Sequence, residues 1–184
     1  YRSSAASDVY KRQDGDGSDD GYEVNRFFDP LDASINPSTL LADSYDEFSG
    51  IQGQDDWQYG YRNLTLDGGE IESYDAESDF IAFDEQEHWR PGWRLAPSAA
   101  PWTLFNGPEG SHPNGTNSAP NEEHWTIRRW TAEELTSETP LGLKWHTRKT
   151  NLNGTGVTGS LFVNGEMVDS ASFAGNDGVG EIRT

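Results

Sequence analysis

The sequence predicts an all-β fold, an antiparallel β-sandwich preceded by an irregular acidic segment, and three observations carry that expectation. Trp57, Tyr59 and Tyr61 alternate with Gln58 and Gly60, the period of two in ring-bearing residues that fits a pleated, half-buried surface. Asn164-Gly165 separates Leu161-Phe162-Val163 from Glu166-Met167-Val168, and Asn-Gly is the preferred pair for a two-residue hairpin turn because both positions take positive φ. Helical spacing of apolar residues is nearly absent, while Gly, Pro, Asn and Ser punctuate short runs throughout. That pattern calls for many short strands.

In chain order, residues 14–42 read as an acidic segment and linker, and residues 43–184 as the sandwich domain. Leu40, Leu41 and Phe48 are the expected points where the Pro-, Ser- and Asp-rich stretch docks. The first strand starts at Trp57, and Phe80 to Phe83 is a short apolar run. Trp125, Ile127 and Arg129 alternate with Thr126, Arg128 and Trp130, which predicts a strand with one buried face. Leu141, Leu143 and Trp145 alternate with Lys144, His146 and Arg148 in the same way. Thr131-Ala132-Glu133-Glu134 has the form of a capping box, but Pro140 limits any helix there to a turn or two. The Asn-Gly hairpin closes the series. No repeat of fixed period is present.

Composition narrows the function. The chain has 184 residues and a formal net charge of −19, with Lys11, Lys144 and Lys149 as its only lysines. A duplex nucleic-acid binder needs clustered cations to displace counterions from phosphates, so nucleic acid is excluded as a partner. Anionic membrane surfaces are equally poor partners, and no apolar run is long enough to span a bilayer. The absence of Cys removes disulfide scaffolds, Cys-ligated zinc and thiol catalysis together.

The first residues carry a different signal. Ser3 to Gln13, SSAASDVYKRQ, resembles the in-frame translation of a transposase-type sequencing adapter, so residues 1–13 are set aside from fold reasoning. That resemblance implies an assembled environmental read whose natural chain continues upstream. Asp14 to Glu23 then places oxygen ligands where a twelve-residue calcium loop needs them, if Glu23 is position 12. Asp14 and Asp16 fall at positions 3 and 5, Gly17 at the sharp turn of position 6, Ser18 at 7 through its carbonyl, and Asp20 at 9. Arg12 stands at position 1, where the first Asp is expected. The segment resembles the calcium-binding repeats of thrombospondin type 3 or dockerin style, which implies Ca2+ as a structural ion. The competing reading is a solvated acidic linker.

The body carries a second resemblance. Phe48-Ser-Gly-Ile-Gln52-Gly53-Gln-Asp-Asp-Trp57-Gln-Tyr59-Gly60-Tyr61, His112-Pro113-Asn114, His124-Trp-Thr-Ile-Arg128-Arg129-Trp130, Val163-Asn-Gly165 and Ala174-Gly-Asn-Asp177-Gly178 recur in this order in a jelly-roll-like β-sandwich domain that is common in secreted bacterial surface proteins. The resemblance implies an extracellular or cell-surface location and carbohydrate binding, the latter from architecture alone. It also implies further strands after Gly180, so the domain is expected to lack its C-terminal edge.

Among chemical motifs, Gly154-Thr-Gly156-Val-Thr-Gly159 matches a dinucleotide-binding expression. Strands rather than a helix are expected after it, so it reads as a glycine-rich loop. His88, His112, His124 and His146 lack the short spacings of simple zinc sites. Asp84, Glu85 and Glu87 offer the paired carboxylates of glycoside hydrolysis, in a chain where acidic residues are frequent everywhere. Most of the seven Trp are expected in the core, at least half of them inside. Trp89, Trp93 and Trp102 lie among Pro91, Pro97 and Pro101, where strand burial is harder to arrange, and are the candidates for an exposed sugar-stacking platform. Arg128 and Arg129 are candidates for binding a uronic acid, against the blander reading of internal pairing with acidic neighbours.

The expectation is therefore a non-catalytic extracellular module of a larger secreted or surface-anchored bacterial protein, binding polysaccharide or another surface glycan and preceded by a calcium spacer. A polysaccharide-degrading fragment using Glu85 or Glu87, and a purely structural adhesin or surface-layer domain, are the alternatives. The sequence carries no signal for an oligomeric state.

Overall fold

The computed structural model describes residues 40–84, 88–89, 92–96, 99–132, 135 and 140–184, with backbone alone at 88–89. The chain divides after Asp43, and the second unit, Ser44–Thr184, holds all the described strands. Asp14, Asp16, Ser18, Asp20 and Glu23, proposed as calcium ligands, lie outside the described residues, as do Glu85 and Glu87.

The described strands are β1 (Trp57–Asn63), β2 (Ile81–Ala82), β3 (His88–Trp89), β4 (Gly92–Arg94), β5 (Leu104–Phe105), β6 (Ser111–His112), β7 (His124–Trp130), β8 (Trp145–Thr147), β9 (Gly156–Val163), β10 (Glu166–Ala174) and β11 (Glu181–Arg183). All pair antiparallel. The all-β class read from the sequence is what the chain adopts. Its strands are shared among four small sheets, ordered β2-β1-β7, β3-β4-β5-β6, β10-β9 and β11-β8.

Alternation in β1 and β7 builds the centre. Direct partners across an antiparallel pair share a face, so the register Trp57↔Trp130, Tyr59↔Arg128 and Tyr61↔Thr126 defines one face. On it Tyr59 stacks on Trp93 with centroids 5.6 Å apart, and Phe83 and Phe105 complete a sealed aromatic core shared with β4 and β5. Phe48 docks edge-on against Tyr59 at 4.8 Å. The Gln52 amide locks this corner, with Nε2 donating to the carbonyls of Tyr59 and Phe83 and Oε1 accepting from the Tyr59 N–H.

The other face of β1-β7 carries Arg62, Trp125 and Arg129. Arg62 lies over the Trp125 ring, and Trp125 and Tyr74 both contact Phe162 of β9. The β9-β10 hairpin turns at Asn164 (φ 51) and Gly165 (φ 83), the positive-φ pair the sequence predicted. Its far face meets β8, where the Trp145 ring lies so close over Gly159 that a Cβ would stand 2.9 Å from it.

Three sequence expectations are corrected. The run 141–148 is a strand only over Trp145–Thr147, and Leu141 and Leu143 are exposed; Pro140 and Gly142 precede them, which limits ladder pairing. A single helical turn, α1 (Leu64–Asp67), was not foreseen, although Asn63 caps it through its side chain and Gly68 ends it at φ 62. Of the six tryptophans with described side chains, Trp93 alone is fully buried. Sheets of two to four short strands cannot enclose more than a few indoles.

Candidate binding face

Trp102 precedes β5 on the four-stranded sheet, and local alternation decides which way it faces. Thr103 is 0% exposed and Phe105 is in the core, so Trp102 and Leu104 take the opposite face. Trp102 is 41% exposed there. Leu104 has Arg94 opposite it on β4 and His112 opposite it on β6, so Arg94, Leu104 and His112 form a row abreast on the outer face. At strand spacings of about 4.8 Å the two outer members stand roughly 10 Å apart, with Trp102 one step of about 7 Å along the central strand.

A buried polar network fixes this platform from behind. The side-chain carbonyl of Asn114 accepts from the Trp102 N–H at 2.9 Å, and its amide donates to the Glu122 carbonyl at 2.7 Å. Beneath Trp102, the Thr103 hydroxyl lies 2.7 Å from His124 Nδ1, and His124 Nε2 lies 3.2 Å from Glu122 Oε2. Asn63 Nδ2 donates to the same carboxylate at 2.8 Å. With Nε2–H donating to Glu122, Nδ1 accepts the Thr103 proton and each polar atom is satisfied. The hydroxyl–imidazole–carboxylate chain has the membership of a nucleophilic triad. Its hydroxyl is sealed from solvent, so its role is to tie β5 to the start of β7. Buried Asn114 and Thr103 thereby hold the backbone at Trp102 in place.

The other sequence candidates fall elsewhere. Trp93 is 0% exposed, stacked on Tyr59 and donating its indole N–H to the Ser49 carbonyl at 2.9 Å, so it belongs to the core and offers no stacking surface. Its cross-strand partner is Phe105, whose inward direction it shares. Trp89 pairs with Gly92 through the backbone, and its side chain lies outside the described residues. Arg128 donates to the carbonyls of Ser44, Gly107 and Pro108 and lies over the Phe48 and Phe105 rings. Burial pulls its guanidinium down to about 10. Arg129 donates to Gln58 and the Ala76 carbonyl and lies 4.3 Å from the Phe80 ring centre. Both arginines brace backbone and rings instead of reaching a ligand, and the partners they use are carbonyls and aromatic faces, where acidic side chains had been expected. Arg94, which the sequence reading passed over, and His112, which it weighed only as a zinc ligand, join Trp102 instead. The signal was cross-strand register, which local periodicity does not carry.

Two clefts lie away from this face. One, about 560 Å³, is lined by Leu141, Leu143, Trp145, Leu161, Val168 and Ile182 with the Asp169–Arg183 pair. Arg183 grips Asp169 with Nε at 2.6 Å and Nη2 at 2.7 Å, and Trp145 Nε1 donates to the same carboxylate. The other, about 870 Å³, is acidic, with Asp67, Glu72, Asp75, Glu77, Asp79 and Glu166 around Arg62. Arg62 is 2% exposed, donates to Asp67 Oδ2 at 2.6 Å and lies 3.4 Å from Asp79. Burial works to raise the Asp67 pKa, but hydrogen bonds from Arg62 and the Gly69 N–H hold it below the ordinary value. The Tyr74 hydroxyl, also on this side, is buried without a hydrogen-bond partner. Among the described residues no three His, Asp or Glu side chains converge as a metal centre requires, and no helix is long and apolar enough to cross a membrane.

No family model, curated protein or solved structure matches this chain.

Proposed function

We propose that the chain is a non-catalytic, extracellular module of a larger secreted or surface-anchored bacterial protein, and that it binds carbohydrate on the Trp102 face. The single observation that carries this reading is the exposed Trp102 indole, whose backbone N–H is held by the Asn114 side chain beside a sheet whose other face is sealed aromatic core. An indole offers a large rigid contact area at the cost of ordering two χ angles, and its flat face suits the C–H side of a pyranose ring. The resemblance of the chain's phrases to secreted bacterial surface domains supports the location. A calcium-binding spacer formed by Asp14, Asp16, Ser18, Asp20 and Glu23 belongs to the same proposal.

Retention on a panel of polysaccharides and a glycan array tests it. The expected outcome is retention on at least one polymer, weakened about tenfold or more in Trp102→Ala, in line with the loss of a central aromatic anchor. Retention on none, or binding that Trp102→Ala leaves unchanged, removes the Trp102 reading.

A further inference from the structure

Resting on the carbohydrate reading of the Trp102 face, we infer that this face selects acidic sugars, with Arg94 and His112 gripping a uronate carboxylate while the sugar ring stacks on Trp102 and Leu104. The inference starts from register. Arg94↔Leu104 and Leu104↔His112 are direct cross-strand partners, which places one guanidinium and one imidazole on either side of a hydrophobic residue and on the same face as Trp102. The row thus sets a guanidinium and an imidazole beside the exposed indole, in a chain with 13 Lys plus Arg against 32 Asp plus Glu.

The chemistry is complementary. Arginine presents five N–H donors in a planar fork that matches a carboxylate, so it can hold a contact of its own and still serve a ligand. Imidazole adds an N–H donor from the other flank. The separation of the two strands bearing them, roughly 10 Å across Leu104, suits long side chains converging on a group held above the central strand. The occupant is therefore an oligosaccharide with a carboxylate at about the width of one sugar from the stacked ring. Arg128 and Arg129, the sequence candidates for this chemistry, are committed to carbonyls and rings, so no other described arginine beside a candidate tryptophan competes for the role.

Isothermal titration with tetragalacturonate and with a hyaluronan tetrasaccharide, each against its fully methyl-esterified form, tests the inference, because ester and acid differ only in the charged group. The expected result is at least one acid bound about tenfold tighter than its ester, the scale of a charge-assisted hydrogen bond. Arg94→Gln and His112→Gln should each reduce that preference, the acid losing more affinity than its ester. Equal, Trp102-dependent binding of acids and esters overturns the acidic selection and leaves the carbohydrate reading standing. Binding of neutral polymers in the panel above, with neither acid bound, has the same meaning. Failure of every glycan overturns both. Far-ultraviolet circular dichroism of each variant shows whether a loss comes from misfolding.

Discussion

Asp169 shows how a single surface carboxylate can join two sheets. It lies on β10, accepts two hydrogen bonds from Arg183 on β11 and a third from Trp145 on β8, so one side chain links the hairpin to the β8-β11 pair. The Arg183 hydrogen bonds, aided by Trp145, hold its pKa down to about 2. An unperturbed Asp titrates near 3.9, so the folded state binds the proton less readily than the unfolded one. The stabilisation is then complete above about pH 4 and is lost as pH falls through about 2. The Trp145 indole N–H resonance should accordingly shift between pH 4 and 2 in the natural protein. In Asp169→Asn that step should vanish, because the amide does not titrate. A Trp145 resonance that moves identically in both proteins would show that other carboxylates govern the junction. The contrast between Trp93 and Trp102 belongs to the same scale. The proline-rich surroundings of both made them look alike in sequence, yet Trp93 is opposite Phe105 and turns inward while Trp102 is out of phase with it and turns outward.

At the level of elements, the Asn164-Gly165 turn is where local sequence dictates structure most directly. Gly165 has φ 83, where an L side chain costs about 1–2 kcal/mol, and a Cβ there would also stand 3.3 Å from the Tyr74 carbonyl. Gly165→Ala should therefore lower stability by about 1–2 kcal/mol in denaturant unfolding, whereas Asn164→Gly should change it by less. A neutral Gly165→Ala would mean that the turn relaxes to another type. The proposed calcium spacer is tested at loop position 1: if the proposal holds, Arg12→Asp should give measurable calorimetric heat on calcium addition, since that position then supplies a carboxylate. No heat from the restored loop would return residues 14–23 to a solvated linker. The turn at 164–165 marks what the sequence made legible. Turn chemistry at 164–165 and alternation in β1 and β7 are local and were readable, whereas Gly156 to Gly159, read from the sequence as a glycine-rich loop, is the first half of β9. The pairing of β4 with β5 and β5 with β6 was not readable, because strands of two or three residues carry no period, and the row Arg94, Leu104, His112 exists only through that pairing. The α1 turn was readable from Asn63 and Gly68 by capping alone, but one turn leaves too few apolar positions for periodicity to register.

For the whole molecule, the dominant electrostatic fact is 32 carboxylates against 13 Lys plus Arg. Two effects of salt oppose one another. Screening weakens attractive pairs such as Arg183–Asp169 and Arg183–Glu181, whose members keep part of their surface in water, and exposed pairs contribute about 0–1 kcal/mol each. Screening also relieves the mutual repulsion of a net charge of −19, which acts over the entire surface and shortens in range to about 3 Å at 1 M salt. The Arg62–Asp67 pair is protected from this loss because Arg62 is 2% exposed and braced on Trp125. Repulsion should therefore win, and raising sodium chloride from 0.05 to 0.5 M should raise the melting temperature, by on the order of 4 °C per kcal/mol gained. Calorimetric scans at matched pH decide it: a melting temperature that falls with salt would place the balance with the ion pairs and assign the acidic excess a folded-state role. A rise would instead mean that the carboxylates destabilise the compact chain in dilute buffer. Their benefit would then be a solvated surface around the few cationic and aromatic groups of the Trp102 face. On that outcome the same salt series should weaken uronate binding and leave ester binding unchanged, because only the former depends on charge.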